Sequence, residues 1–229
     1  MLKGVVTRFL LLILATGGWG HSSAFAAAPM SMLDTGSHCV AYRARKRLLL
    51  LASVQVVGKS CQVSAQVTPE VGGKYRIEIG FPITSLQSGE PERDLDVAKL
   101  LGADMDPDLR FVTEALSLEQ WQALMKKEKG EVAGELRFAD KIKPLQASLV
   151  LLKGEQGVEV DGLIKTTFSA LHLKPPVIAM GLFAKVRDEL ELHFHFLGSR
   201  TLGAETILSE DQLPTAEAPK EPSSDNKIE

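Results

Sequence analysis

The sequence predicts an all-β fold, about eight or nine short antiparallel strands in one domain with one or two short helices between them. Three observations carry this. Four stretches of the core alternate apolar and polar residues with period two, which turns one face of each strand inward and the other toward water. Glycines punctuate the chain at Gly58, Gly72-Gly73, Gly130 and Gly154–Gly157, where turns between strands are expected. Only two segments of the core break the alternation in favour of a helical period.

Taken in order, residues 1–26 read as a cleavable signal peptide. Lys3 and Arg8 precede the apolar stretch Phe9–Ala15, and Ala24-Phe25-Ala26 offers a small-x-small cleavage site. A membrane anchor would need about 20 apolar residues, and Gly17-Gly18 and Gly20 interrupt this one too early. The mature protein is therefore expected in the periplasm or outside the cell. Strands are predicted at 41–46 and 49–57. Cys61-Val63-Ala65-Val67 and Tyr75-Ile77-Ile79-Phe81 then alternate with polar neighbours. Glu92–Gly102 is spaced as a short helix with a glycine stop. After a strand at 108–116, Ser117–Lys127 is a second helix, with Ser117 and Gln120 placed for a capping box. Val132-Gly134-Leu136-Phe138, strands at 144–152 and 157–168, and Leu190-Leu192-Phe194-Phe196 complete the core. Residues 209–229 carry six acids against Lys220 and Lys227 and are rich in Pro and Ser. Such a segment buries too little apolar surface to offset its ordering entropy and is expected to be a disordered acidic tail. The folded domain is thus 27–208, one sandwich or closed barrel.

Composition removes several function classes. The 229 residues are 45% hydrophobic, too apolar for a disordered polymer, and 26 basic side chains face 29 acidic ones. That balance lacks the basic excess of a nucleic-acid binder. Two cysteines are too few for a disulfide framework or a four-cysteine zinc site. In an exported protein, Cys39 and Cys61 pair by default, stabilising by about 3 kcal/mol on the loop-entropy model; two reduced, buried thiols would suit a cytosol-like compartment.

Catalytic and metal signatures are missing from the pattern. There is no Gly-x-Ser-x-Gly elbow, no phosphate loop and no His-Glu-x-x-His. His193 and His195 share one strand face, but Leu192, Phe194 and Phe196 occupy the other, so the imidazoles are expected in solvent. His172 falls in a loop. Glu92, Asp94, Asp96, Asp104, Asp106 and Asp108 lack calcium-loop spacing and read as solvated helix and turn faces, with Arg93-Asp94 a cap or ion pair. The basic run Arg43-Ala44-Arg45-Lys46-Arg47 before Leu48–Leu51 reads as a solvated hairpin turn or as a transient membrane-surface contact.

Three ordered stretches raise the resolution: Ile79–Gly89 running into Glu92-Arg93-Asp94 and Asp106–Phe111; Gly134–Leu145; and the pair Gly162–Phe168 and Asp188–Phe194. In order and spacing the sequence resembles the YceI-like family of exported, lipocalin-like, polyisoprenoid-binding proteins, over about residues 40–197. Asp96 stands where the family helix carries His, and Asp140 replaces the hairpin glycine. The resemblance implies an antiparallel up-and-down β-barrel of about eight strands that holds an apolar, chain-like isoprenoid such as a quinone or polyprenol. Such binding requires no cofactor, no residue constellation carries catalysis, and the near-neutral charge argues against a nucleic-acid partner. The expected wall, from the inward faces, is Ile77, Ile79, Phe81, Phe111, Leu136, Phe138, Leu149, Leu151, Ile164, Phe168, Leu192 and Phe194. The alternative is a filled barrel in which these side chains form a solid core and the protein acts through its surface. Oligomeric state leaves no mark in the sequence.

Overall fold

The structure, a computed structural model, describes residues 33–48, 53–154, 157–176 and 184–208. The predicted leader 1–26, the tail 209–229, residues 49–52 of the predicted second strand and residues 155–156 of the Gly154–Gly157 turn lie outside them. The strands are β1 (Cys39–Leu48), β2 (Ser53–Ser60), β3 (Ser64–Glu70), β4 (Lys74–Pro82), β5 (Asp108–Thr113), β6 (Leu116–Ser117), β7 (Lys129–Phe138), β8 (Lys141–Gly154), β9 (Gly157–Thr167) and β10 (Ala184–Leu197). Helix α1 (Pro91–Leu101) lies between β4 and β5, and α2 (Leu118–Met125) between β6 and β7.

All of the strand pairings are antiparallel, in the order β2-β1-β10-β9-β8-β7-β5-β4-β3, with β6 added to β4. The period read in the sequence is visible in the longest strands. In β8, Ala147, Leu149 and Leu151 are buried while Gln146, Ser148 and Val150 are exposed. The inward residues of most of the strands meet in one hydrophobic core.

The sheet curls into a half-barrel without a ladder between β2 and β3. Full closure by strand pairing, favoured because it leaves no edges, is replaced by local covers on both edge strands. Lys59 of β2 exchanges two backbone hydrogen bonds with Gln87, at 2.9 and 2.8 Å. On β3, Leu202 accepts from Val67 at 2.8 Å and donates to Ala65 at 3.0 Å. The Cys39–Cys61 disulfide, with Cα atoms 4.1 Å apart, ties the start of β1 to the link between β2 and β3.

The helices form where the sequence stops alternating. Pro91 opens α1, where its missing N–H costs nothing, and Gly102 ends it at φ 76°, a left-handed conformation that suits glycine. Ser117 caps α2 reciprocally with Gln120: Gln120 N donates to Ser117 Oγ (3.3 Å) and Ser117 N to Gln120 Oε1 (2.8 Å). Trp121, 1% exposed, anchors that helix against the barrel, its indole N–H donating to Tyr75 O at 2.8 Å. Gly72 and Gly73 turn the chain between β3 and β4 with φ of 80° and 70°. Gly58 and Gly130, by contrast, are not turn residues. They lie within β2 and β7, kept free of a side chain by the Tyr42 ring and by Leu124, which occupy the space a Cβ would take.

Candidate functional site

The inward faces do not fill the barrel. An apolar cavity of about 400 Å³ remains, and Ile79, Phe81, Phe111, Leu136, Ile164, Phe168, Leu192 and Phe194 of the predicted wall line it. Ile77 and Leu149 lie deeper, on a second cavity of about 70 Å³ that also touches Ile79, Phe111 and Phe194. Phe138 and Leu151 line neither; both are buried in side-chain packing. Period two assigned them the correct face, but it carries no information about whether the space in front of a side chain is empty. The sequence reading missed Tyr42 of β1, Val97, Leu100 and Leu101 of α1, and Leu171 and Leu173 in the turn after β9. The α1 residues were signalled by helical spacing. Tyr42 and Ala44 alternate with arginines and were hidden in the basic run.

Three aromatic–glycine contacts help to explain the open interior. Phe194 of β10 pairs with Gly162 of β9, and a Cβ on Gly162 would fall 1.7 Å from the ring. The ring of Phe111 comes within 2.5 Å of the corresponding position on Gly134, and that of Tyr42, paired with Gly58, within 2.3 Å. A strand glycine permits this close approach to the backbone, so each ring rests on the neighbouring strand.

The mouth is charged. Arg45 and Lys46 come from β1, while Glu90, Glu92, Arg93 and Asp96 come from the start of α1. Arg93 and Asp94 clamp Ser88: Arg93 Nε donates to Ser88 Oγ (2.7 Å) and its Nη2 to Ser88 O (2.8 Å), while the Asp94 carboxylate accepts from the Ser88 N–H and hydroxyl. The predicted structural role of the Arg-Asp pair is thus given partners, and α1 is pinned beside the opening. The Tyr42 hydroxyl is buried at this end beside Ser88 and Arg93, and burial raises its pKa against their opposing pull.

Two expectations about polar residues are corrected. His193 and His195 do not face solvent; they are 5% and 1% exposed. His193 borders the larger cavity while His195 does not, and the strand face they share is covered. His195 Nδ1 lies 2.7 Å from Asp161 Oδ1, and its Nε2 lies 3.2 Å from the carbonyl oxygen of Thr35 in the segment before β1. His193 Nε2 is 3.1 Å from Glu191, which also pairs with Arg43. Burial lowers the His193 pKa, against the opposing pull of Glu191. Alternation alone cannot foresee a chain segment folding over the outer face. The basic run, second, is strand rather than turn, and Arg43 is largely buried in its ion pair while Arg45 and Arg47 are exposed.

Other candidates for chemistry have structural partners. Asp106 and Asp108 pair with Arg110 at 3.3 and 3.2 Å. His172 is exposed, with Nδ1 2.7 Å from Lys143 Nζ. Among the described residues no three His, Cys, Asp or Glu side chains gather to hold a metal, and no helix is long and apolar enough to cross a membrane.

An antiparallel half-barrel around an apolar cavity behind a charged mouth defines a lipocalin-like binding architecture. The sequence pattern of the YceI-like domain matches residues 32–197, and the chain belongs to that family. Among solved structures, the fold is similar to that of BcnA from Burkholderia cenocepacia, at 18% identity and a TM-score of 0.53, covering 71% of this chain and 96% of that one. It is also similar to a polyisoprenoid binding domain from Saccharophagus degradans implicated in plant cell wall breakdown, at 10% identity and a TM-score of 0.50, covering 69% and 95% respectively. At these identities the likeness is one of fold. No curated protein sequence matches the chain.

Proposed function

We propose that this protein is an exported lipid binder, acting in the periplasm or outside the cell, that holds an isoprenoid-type molecule such as a quinone or polyprenol inside the barrel. The observation that carries the reading is the apolar cavity of about 400 Å³, within the range of small-molecule sites and walled by aliphatic and aromatic side chains. Burial there transfers an apolar chain out of water at roughly 0.8 kcal/mol per methylene, so affinity needs no reactive group. The cavity weighs against a filled barrel acting only through its surface. Family membership and the polyisoprenoid binding neighbour support the same reading.

The mouth divides the labour. An apolar chain enters past α1 while a polar head stays among Lys46, Arg93 and the Tyr42 hydroxyl. Exposed Arg45 and Arg47 meet anionic headgroups at a membrane surface during uptake, each contributing on the order of 1 kcal/mol. The protein works as a carrier or store, not as an enzyme.

The test is extraction of purified protein with organic solvent, followed by mass spectrometry. A copurifying isoprenoid in near-stoichiometric amount is the expected result. Release of nothing, together with no binding of added quinone or prenol, defeats the reading.

A further inference from the structure

The barrel interior is divided along its length. The larger and smaller cavities share four lining residues, Ile79, Phe111, Phe194 and Phe196, drawn from β4, β5 and β10. Ile79 and Phe111 are directly paired, and the Phe194 and Phe196 rings lie 5.2 Å apart. On the mouth side the cavity holds about 400 Å³; on the far side only about 70 Å³ remains, against Trp121 and Met125 of α2. A chain that enters from the mouth therefore meets this layer before it reaches the far cavity.

We propose that Phe111 and Phe194 are the stop of the binding cavity and set the longest apolar chain that the protein holds. The proposal rests on the lipid-binding reading and adds to it a determinant of chain length. The position of each ring is fixed by a glycine. A Cβ on Gly162 would overlap the Phe194 ring at 1.7 Å, and one on Gly134 would crowd the Phe111 ring at 2.5 Å. The rings therefore lie against β9 and β7, separating the two spaces while leaving the larger one open. Adding a methyl at Gly162 displaces the Phe194 ring toward the lumen and shortens the cavity. Removing the ring joins the two cavities and lengthens it. The two substitutions act with opposite sign on one property.

The experiment measures the affinity of the purified full-length protein for geraniol, farnesol, geranylgeraniol and solanesol by titration calorimetry. Wild-type affinity rises with each added isoprene unit and then levels off. Phe194→Ala moves the plateau at least one unit longer, binding the first prenol beyond the wild-type plateau about tenfold tighter as the extra apolar carbons find a dry wall. Phe111→Ala, on a different strand, moves it the same way. Gly162→Ala moves it shorter, and has no effect in the Phe194→Ala background because the displaced ring is gone. Circular dichroism checks folding, and Phe194→Leu replaces Phe194→Ala if the latter does not fold. A plateau unchanged in folded Phe111→Ala, Gly162→Ala and the Phe194 variant overturns the stop while leaving lipid binding intact. Failure of wild type to bind any of the four overturns the lipid-binding reading itself, and the stop with it.

Discussion

A Tyr42 ring lying on Gly58, a Phe194 ring on Gly162 and a Phe111 ring on Gly134 are three uses of the smallest residue. Each lets an aromatic side chain contribute apolar wall without projecting far into the lumen. Replacing Gly58 with Ala forces the Tyr42 ring to move, an overpacking that costs about 1–3 kcal/mol; urea unfolding should show a lower midpoint with an unchanged slope. The covered histidines make a second prediction at this scale. Burial pushes His193 below its ordinary 6.5, and His38 is lowered for the same leading reason. The unfolded chain thus takes up these protons before the folded one does. Their contribution is intact above about 6.5 and is lost as the pH falls through the lowered value in the fold. Glu191 acts with the same sign at lower pH: burial raises its pKa, but the hydrogen bonds from Arg43 and His193 outweigh that and hold it low. The melting temperature should therefore drop as the pH is lowered from neutral. His193→Gln should flatten the first part of that drop, with His38 leaving a residual slope; an identical profile in the variant would remove His193 from the account.

Among the elements, the edges are the exposed points of the design. Among the described residues, strands β2 and β3 do not pair with each other, and each is covered by a pair of backbone hydrogen bonds from another segment. The Cys39–Cys61 disulfide ties β1 to the link between these two strands, closing a loop with a sequence separation of 22. Constraint of the unfolded chain by such a loop is worth about 3 kcal/mol. The double variant Cys39→Ser/Cys61→Ser should lose stability of that order in denaturant titration, and reductant should have no further effect on it. Helix α2 matters differently: Trp121 and Met125 line the far cavity, and the capping box at Ser117 fixes the start of the helix that carries them.

For the whole molecule, an apolar space of about 400 Å³ is a stability deficit that the proposed ligand would repair. A lipid bound only by the folded state at a hundred times its Kd adds about 2.7 kcal/mol. Delipidated protein should therefore melt lower than protein reloaded with a quinone, and the gap should grow with free ligand concentration. A melting temperature that does not respond to any isoprenoid at saturating concentration contradicts a hollow, ligand-filled barrel.

The sequence by itself determined most of the antiparallel strands, both helices with the Ser117 cap and the Gly102 stop, and the inward face of the strands that alternate clearly, because these depend on period, capping chemistry and backbone conformation within a few residues. The YceI-like motifs were legible for the same reason, being local patterns in a fixed order. Only the tertiary structure decided what depends on residues distant in sequence. It placed Ile79, Phe111 and Phe194 in one layer, left Phe138 and Leu151 in solid packing, and drew Gly58 and Gly130 into strands under ring and leucine neighbours. It also put Thr35 over His195 and Glu191 between Arg43 and His193. Whether a buried face meets a neighbour or a void depends on the volumes of side chains from several strands together, and no single strand carries that sum.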